Sequence, residues 1–158
     1  MKIAFVLAAV VAALSVTIPA ENEQSAAGLE PYFAAIIVRN LDASVAWYQS
    51  LFGLTVKDRQ SIPGRKIRLA ILESPSFLTE LIEDQAALDR RKLLEKSPKG
   101  TNIQGHFKIG FRVTDMDGLL KRLQALKVPV ERVYSDPRSK RRNFLINDPD
   151  GNLIQFFE

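Results

Sequence analysis

The chain has 158 residues, of which 46% are hydrophobic, 25% charged and 8% aromatic, and it contains no cysteine. That balance excludes a fibrous or disordered protein, and the length suits one domain with a proper core. Without cysteine there is no disulfide and no lipid attachment through a processed cysteine, so core packing must hold the fold. The formal charge is +4, with basic clusters at Arg90, Arg91, Lys92 and at Arg138, Lys140, Arg141, Arg142. No aromatic residues are interleaved with these clusters, which argues for solvated loops and against a nucleic-acid surface.

The amino-terminal stretch departs from the average composition. Lys2 precedes an uncharged run, Ile3 to Ala20, whose continuously apolar part ends at Leu14. That is the length of a signal-peptide core and short of the roughly 20 apolar residues that span a membrane. Small residues offer cleavage after Ala20 or after Ala27. Residues 1–20, or 1–27, therefore read as a signal peptide, with an uncleaved anchor or a buried helix as the alternative. The expected location is periplasmic or secreted, with no membrane contact in the mature form. Residues 21–30 are polar and small, and read as a linker.

From Pro31 the pattern becomes that of a folded α+β domain. Phe33 to Val38 is an apolar, β-branched run that suits a buried strand. Asn40 or Asp42 can cap a helix with the apolar face Val45, Tyr48, Leu51 and Phe52, which Gly53 stops. Strand-like runs follow at about Thr55–Gln60, Ile67–Glu73 and Phe77–Glu83, separated by Pro63-Gly64 and Ser74-Pro75-Ser76. The first module, residues 31–83, is thus βαβββ. A polar, partly helical connection covers residues 84–104.

The same grammar returns in residues 105–158. Phe107 to Val113 is strand-like, and Asp115 or Asp117 caps a helix carrying Leu119, Leu120, Leu123 and Leu126, which Pro129 ends. Strands are expected at Val130–Tyr134, Arg142–Asn147 and Asn152–Phe157, the last two joined by the turn Asp148-Pro149-Asp150-Gly151. A shift of 75 positions lays Val38 on Val113, Asn40 on Asp115, Leu41 on Met116, Asp42 on Asp117, Tyr48 on Leu123 and Leu51 on Leu126. The same shift lays Leu78, Glu80, Leu81, Ile82 and Glu83 on Leu153, Gln155, Phe156, Phe157 and Glu158. One shift holding from first strand to last marks a duplicated unit.

The stretch from Ala35 to Leu54, AIIVRNLDASVAWYQSLFGL, and the closing FLINDPDGNLIQ from Phe144 to Gln155 resemble the opening and closing segments of the vicinal oxygen chelate family, which includes glyoxalase I and bleomycin resistance proteins. The resemblance covers Tyr32 to Glu158. It implies two tandem βαβββ modules forming curved sheets around a cleft, and a homodimer that completes its clefts with a second copy. Enzymes of the family hold a divalent metal there, and the four positions that inherit the ligand roles are Phe33, Glu80, Lys108 and Gln155.

Only Glu80 is a strong ligand, because Phe33 has no donor, Lys108 is a cation and Gln155 is a weak neutral oxygen. The resemblance thus implies no metal or other cofactor. An ion pair between Glu80 and Lys108 is expected where the metal would sit. His106, the sole histidine, and Arg142 complete the candidate cleft residues. A small organic ligand, sequestered as bleomycin resistance proteins do, is the expected partner. The alternative is a metal-dependent lyase, isomerase, dioxygenase or thiol transferase using Glu80 and His106, with Gln155 as third ligand. A protein that serves a protein partner through its surface is a third class.

Overall fold

The computed structural model describes residues 32–130 and 133–158. The expected signal peptide and linker lie outside these residues. The first module contains β1 (Ala34–Val38), α1 (Leu41–Phe52), β2 (Thr55–Ile62), β3 (Ile67–Ser74) and β4 (Phe77–Asp84). The connection holds the short helix α2 (Arg90–Glu95). The second module contains β5 (Lys108–Arg112), α3 (Met116–Ala125), β6 (Val133–Ser135), β7 (Arg142–Asn147) and β8 (Leu153–Phe157). Two residues of the run expected from Val130, 131 and 132, are outside the described part.

Each module makes one curved four-stranded sheet, ordered β1-β4-β3-β2 in the first and β5-β8-β7-β6 in the second. The first strand of each lies parallel to the last, while the other pairs are antiparallel. Equivalent registers repeat across the shift: Ala35 stands opposite Glu80, and Gly110 opposite Gln155. The duplication is therefore a property of the backbone as well as of the sequence.

Local chemistry explains the helix boundaries. Asn40 Oδ1 accepts the Ala43 N–H at 2.9 Å, and Asp115 Oδ1 accepts that of Gly118 at 2.8 Å, each satisfying an end donor that the helix itself leaves unpaired. Asn40 and Asp115 are thus the caps, with Asp42 and Asp117 in the first turns. Gly53 closes α1 at a left-handed φ of 68°, its N–H reaching Gln49 O at 2.9 Å. The second helix ends earlier than its counterpart. Leu126, expected on the buried face, is the C-cap and 38% exposed, because Val128 turns back to Leu123 O at 2.9 Å and takes the place in the core.

Burial alternates along the sheets. Ala70, Leu72 and Leu81 are buried against α1, together with Val38, Leu41, Val45 and Tyr48. Leu123, Phe144, Ile146, Ile154 and Phe156 form the equivalent core of the second module. Trp47 and Phe52 of α1 pack against both cores, so the modules are joined through aromatic side chains. One expectation fails here: β1 is an outermost strand, with Ala35 and Ile37 exposed, and not a buried one.

A pair of equivalent charge clamps also follows the repeat. Arg68 grips both oxygens of Glu83 at 3.1 and 2.8 Å and reaches Asp42 at 3.0 Å. Arg142 grips Glu158 at 3.0 and 2.6 Å and reaches Asp117 at 2.6 Å. Each clamp ties the last strand of its module to the third strand and to the first turn of its helix. Arg142 holds the Glu158 carboxyl down to about 2, and Arg68, with the Leu41 N–H, lowers that of Glu83.

A carboxyl whose folded value is depressed contributes stability that is present above its ordinary value and is lost as pH falls through the folded value. Thermal midpoints should therefore decline between the ordinary glutamate value of 4.5 and about 2. Glu158→Gln should flatten that decline. The clamps are largely exposed, so added salt should also shrink the effect. Midpoints that stay level across this range would remove the clamps from the account of stability.

Candidate functional site

The strand orders leave β1 and β5 as outermost strands, and a groove of about 1250 Å³ runs beside them. Phe33 to Arg39 line one side, His106 to Ile109 and Asn152 to Ile154 line another, and residues from Asp84 to Arg90 near α2 complete it. Its apolar part includes Phe33, Ile37, Leu88 and Phe107, all exposed. Arg39, Asp89, Arg90, Lys108 and Asp150 supply charge. Apolar lining with a few polar groups is the usual make-up of a small-molecule site.

The groove is bordered by a joint between modules. Tyr48 of α1 lines it and is buried, and its hydroxyl donates to Asp148 Oδ2 at 2.9 Å. Asp148 also accepts the N–H groups of Asp150 and Asn152 and the Asn152 side-chain amide, at 2.8 to 2.9 Å. Burial, with the charge of Asp148 next, pushes the Tyr48 phenol far upward, so it stays protonated and donates. Nearby, Asp150 accepts the Arg39 N–H at 3.1 Å, and Arg91 donates to Pro149 O, which fastens α2 and β1 to the same hairpin.

Of the six residues expected at the cleft, the structure gathers Phe33, His106 and Lys108 along this groove. Arg142 instead lines a separate pocket of about 500 Å³. Glu80 stands mid-sheet on β4, between Ala35 and Ile71, and lines neither cavity. Gln155 is 7% exposed on β8; its Nε2 donates to Asn143 Oδ1 at 3.1 Å, and its Oε1 is buried without a hydrogen-bond partner among the described residues.

The expected Glu80–Lys108 pair is not formed among the described residues. Lys108 Nζ lies instead 5.9 Å from the centroid of the Phe107 ring. The reason lies in the strand order: Lys108 opens an outermost strand and turns to the groove, whereas Glu80 sits on an inner strand of the other sheet.

A divalent metal fits the inherited positions poorly. Phe33 offers no donor, Lys108 none at neutral pH, Gln155 one neutral oxygen and Glu80 one carboxylate. Among the described residues, no group of three or more His, Asp or Glu side chains converges as a cation site. Of the displaced set Glu80, His106 and Gln155, only His106 lines the groove.

This architecture can be placed among known proteins. Residues 31–156 match the family model of the Glyoxalase/Bleomycin resistance protein/Dioxygenase superfamily. The chain belongs to this superfamily. Among curated proteins, YaeR of Escherichia coli K12 is 26% identical over 127 residues, which cover 78% of this chain and 92% of that protein. Among solved structures, a glyoxalase family protein from Enterococcus faecalis superposes with a TM-score of 0.71 at 19% identity, covering 82% of this chain and 97% of that one. The fosfomycin resistance protein FosX from Listeria monocytogenes does so at 0.63 with 14% identity, covering 81% and 91%. At these identities the structural likenesses establish the superfamily's fold.

Sequence reasoning missed the Tyr48–Asp148 joint and read Tyr48 as packing alone. It also missed the clamps, although the shift of 75 already laid Asp42 on Asp117 and Glu83 on Glu158. The two arginines hid because one hairpin is a residue longer, which puts Arg68 and Arg142 out of that register.

Proposed function

We propose that this superfamily member is an exported, metal-free binding protein that sequesters a small organic molecule in the groove and works as a homodimer. The observation that carries this reading is the groove of about 1250 Å³ with an apolar lining, in a chain whose inherited ligand positions hold a single carboxylate. The edges of β1 and β5, outermost among the described strands, with exposed Phe33, Ile37 and Phe107 beside them, give a second copy a surface to cover. Export rests on the apolar run Ile3–Leu14.

A metal-dependent enzyme using Glu80 and His106 is the second reading. It is favoured by the Gln155 Oε1, a buried oxygen without a hydrogen-bond partner among the described residues.

One purified sample decides between them. Metal analysis of the full chain is expected to give far less than one nickel, zinc, manganese or iron per chain. A screen of small organic molecules should then find one that, at a hundred times its Kd, stabilises the fold by about 2.7 kcal/mol. Stoichiometric metal that is lost in Glu80→Gln or His106→Ala would replace this reading with the enzyme.

A further inference from the structure

We infer that the segment between the modules, residues 85–104 with α2 at its centre, is a hinged lid over the groove, held shut by a latch of four charged side chains. The segment supplies one wall of the groove through Gln85, Ala87, Leu88, Asp89 and Arg90. The lid rests on the reading of that groove as the binding site.

The wall has no core of its own. From residue 85 to residue 107 no residue is buried, and none of the hydrophobic ones packs against the core of either module. Leu88 lines the groove and is 78% exposed, and Leu93 and Ile103 are exposed too. A stretch without buried apolar contacts opens at a far smaller free energy than the sheets that flank it.

Past Gln85, the described bonds from this segment to the modules converge on one corner. Arg91 donates to Pro149 O, and its Nη2 lies 3.9 Å from Asp150 Oδ1. Arg39 bridges the same corner, at 3.9 Å from Asp89 Oδ2 and 3.5 Å from Asp150 Oδ1. Arg39, Asp89 and Asp150 also line the groove, so the latch sits at its rim. Both arginines are exposed, and ion pairs of this kind are weak singly and screened by salt.

Hinges stand at both ends. At the start, Asp84 closes a turn by accepting the Ala86 N–H at 2.8 Å on its side chain and the Ala87 N–H at 3.1 Å on its carbonyl. At the far end Gly100 and Gly105 hold φ values of 89° and 123°, a region that residues with a Cβ rarely adopt. Changes of φ and ψ at such element ends let α2 move as a unit while β4 and β5 stay in their sheets. Opening breaks the latch. Closing lays Leu88 against an apolar ligand and removes that side chain from water.

Because the chain has no cysteine, spin labels can be placed selectively on the full chain. Leu93→Cys on α2 is paired in turn with Ser61→Cys on β2 and Lys121→Cys on α3, all exposed positions, and distances are read by double electron–electron resonance. At low salt one distance should dominate each pair. In Arg39→Gln/Arg91→Gln a second distance should grow roughly fivefold in population in at least one pair, the effect of losing exposed ion pairs. Roughly 1 M NaCl, which screens such pairs, should raise the same second distance in the wild type. Lys92→Gln/Lys96→Gln removes two charges from the same segment outside the latch and should match the wild type.

Distances that are identical in all these samples would overturn the lid. An equal response in Lys92→Gln/Lys96→Gln would overturn the latch, tracing the motion to net charge. If Arg39→Gln/Arg91→Gln does not fold, the salt response of the wild type decides. The groove itself is probed with N-phenyl-1-naphthylamine, an uncharged apolar dye, whose affinity should fall severalfold in Leu88→Gln. Affinity unchanged in that variant would overturn closure of Leu88 onto the ligand. Dye that does not bind, with distances that respond, would overturn the groove as the binding site and keep the motion; bound dye with fixed distances would do the reverse.

Discussion

Asp148→Ala should lower stability by about 3 kcal/mol, because it strands several donors at once in and beside a buried position. Tyr48 is buried, so its hydroxyl would lose its only acceptor among the described residues. The N–H groups of Asp150 and Asn152 would lose theirs too, although these are less enclosed and can turn partly to solvent. Tyr48→Phe removes the donor and keeps the hairpin's own bonds to Asp148, so about 1 kcal/mol is expected.

The double variant Tyr48→Phe/Asp148→Ala should cost less than the sum of the two, since each change removes the same bond. Denaturant unfolding measures all three. A loss below about 1 kcal/mol for Asp148→Ala would mean that Tyr48 and Asp148 hold the modules together through packing alone.

That joint marks the limit of what the sequence discloses. Chemistry confined to a few neighbouring residues was legible: the Asn40 and Asp115 caps, the Gly53 stop and the Asp-Pro-Asp-Gly turn each depend on bonds made within five residues. The duplication was legible because a constant shift survives whatever the side chains do. Tyr48 and Asp148 are 100 residues apart, and nothing local in either marks it as the other's partner.

Burial was misjudged where strand order decides it. The run from Ala34 to Val38 is apolar throughout, and only its outermost place in the sheet leaves Ala35 and Ile37 exposed. The candidate site was partly legible for the same reason. Of the four inherited positions, Phe33 and Lys108 line the groove, beside His106, while Glu80 and Gln155 do not. Inheritance could not separate Arg142, because a charged residue at the start of a strand serves a clamp or a cleft equally well until its partners are known.

Phe52→Ala should cost about 3 kcal/mol and should loosen both modules together. Among the described residues the Phe52 ring has five aromatic neighbours: Tyr48, Trp47 and Phe77 of the first module at 5.7, 6.3 and 6.5 Å, and Phe111 and Phe156 of the second at 5.0 and 6.1 Å. Truncation leaves a void that neither core can fill alone, since the rings on each side are fixed by their own sheets. Because Phe52 is only partly buried, the lower end of the range for phenylalanine truncation applies. Leu72→Ala removes a fully buried side chain from the first core alone and should cost a similar amount. The two differ in reach. Hydrogen exchange in Leu72→Ala should speed up mainly in β3 and β4, whereas Phe52→Ala should speed up β4 and β8 alike. Exchange confined to the first module in Phe52→Ala would show that the two cores are energetically separate despite their shared aromatic contact.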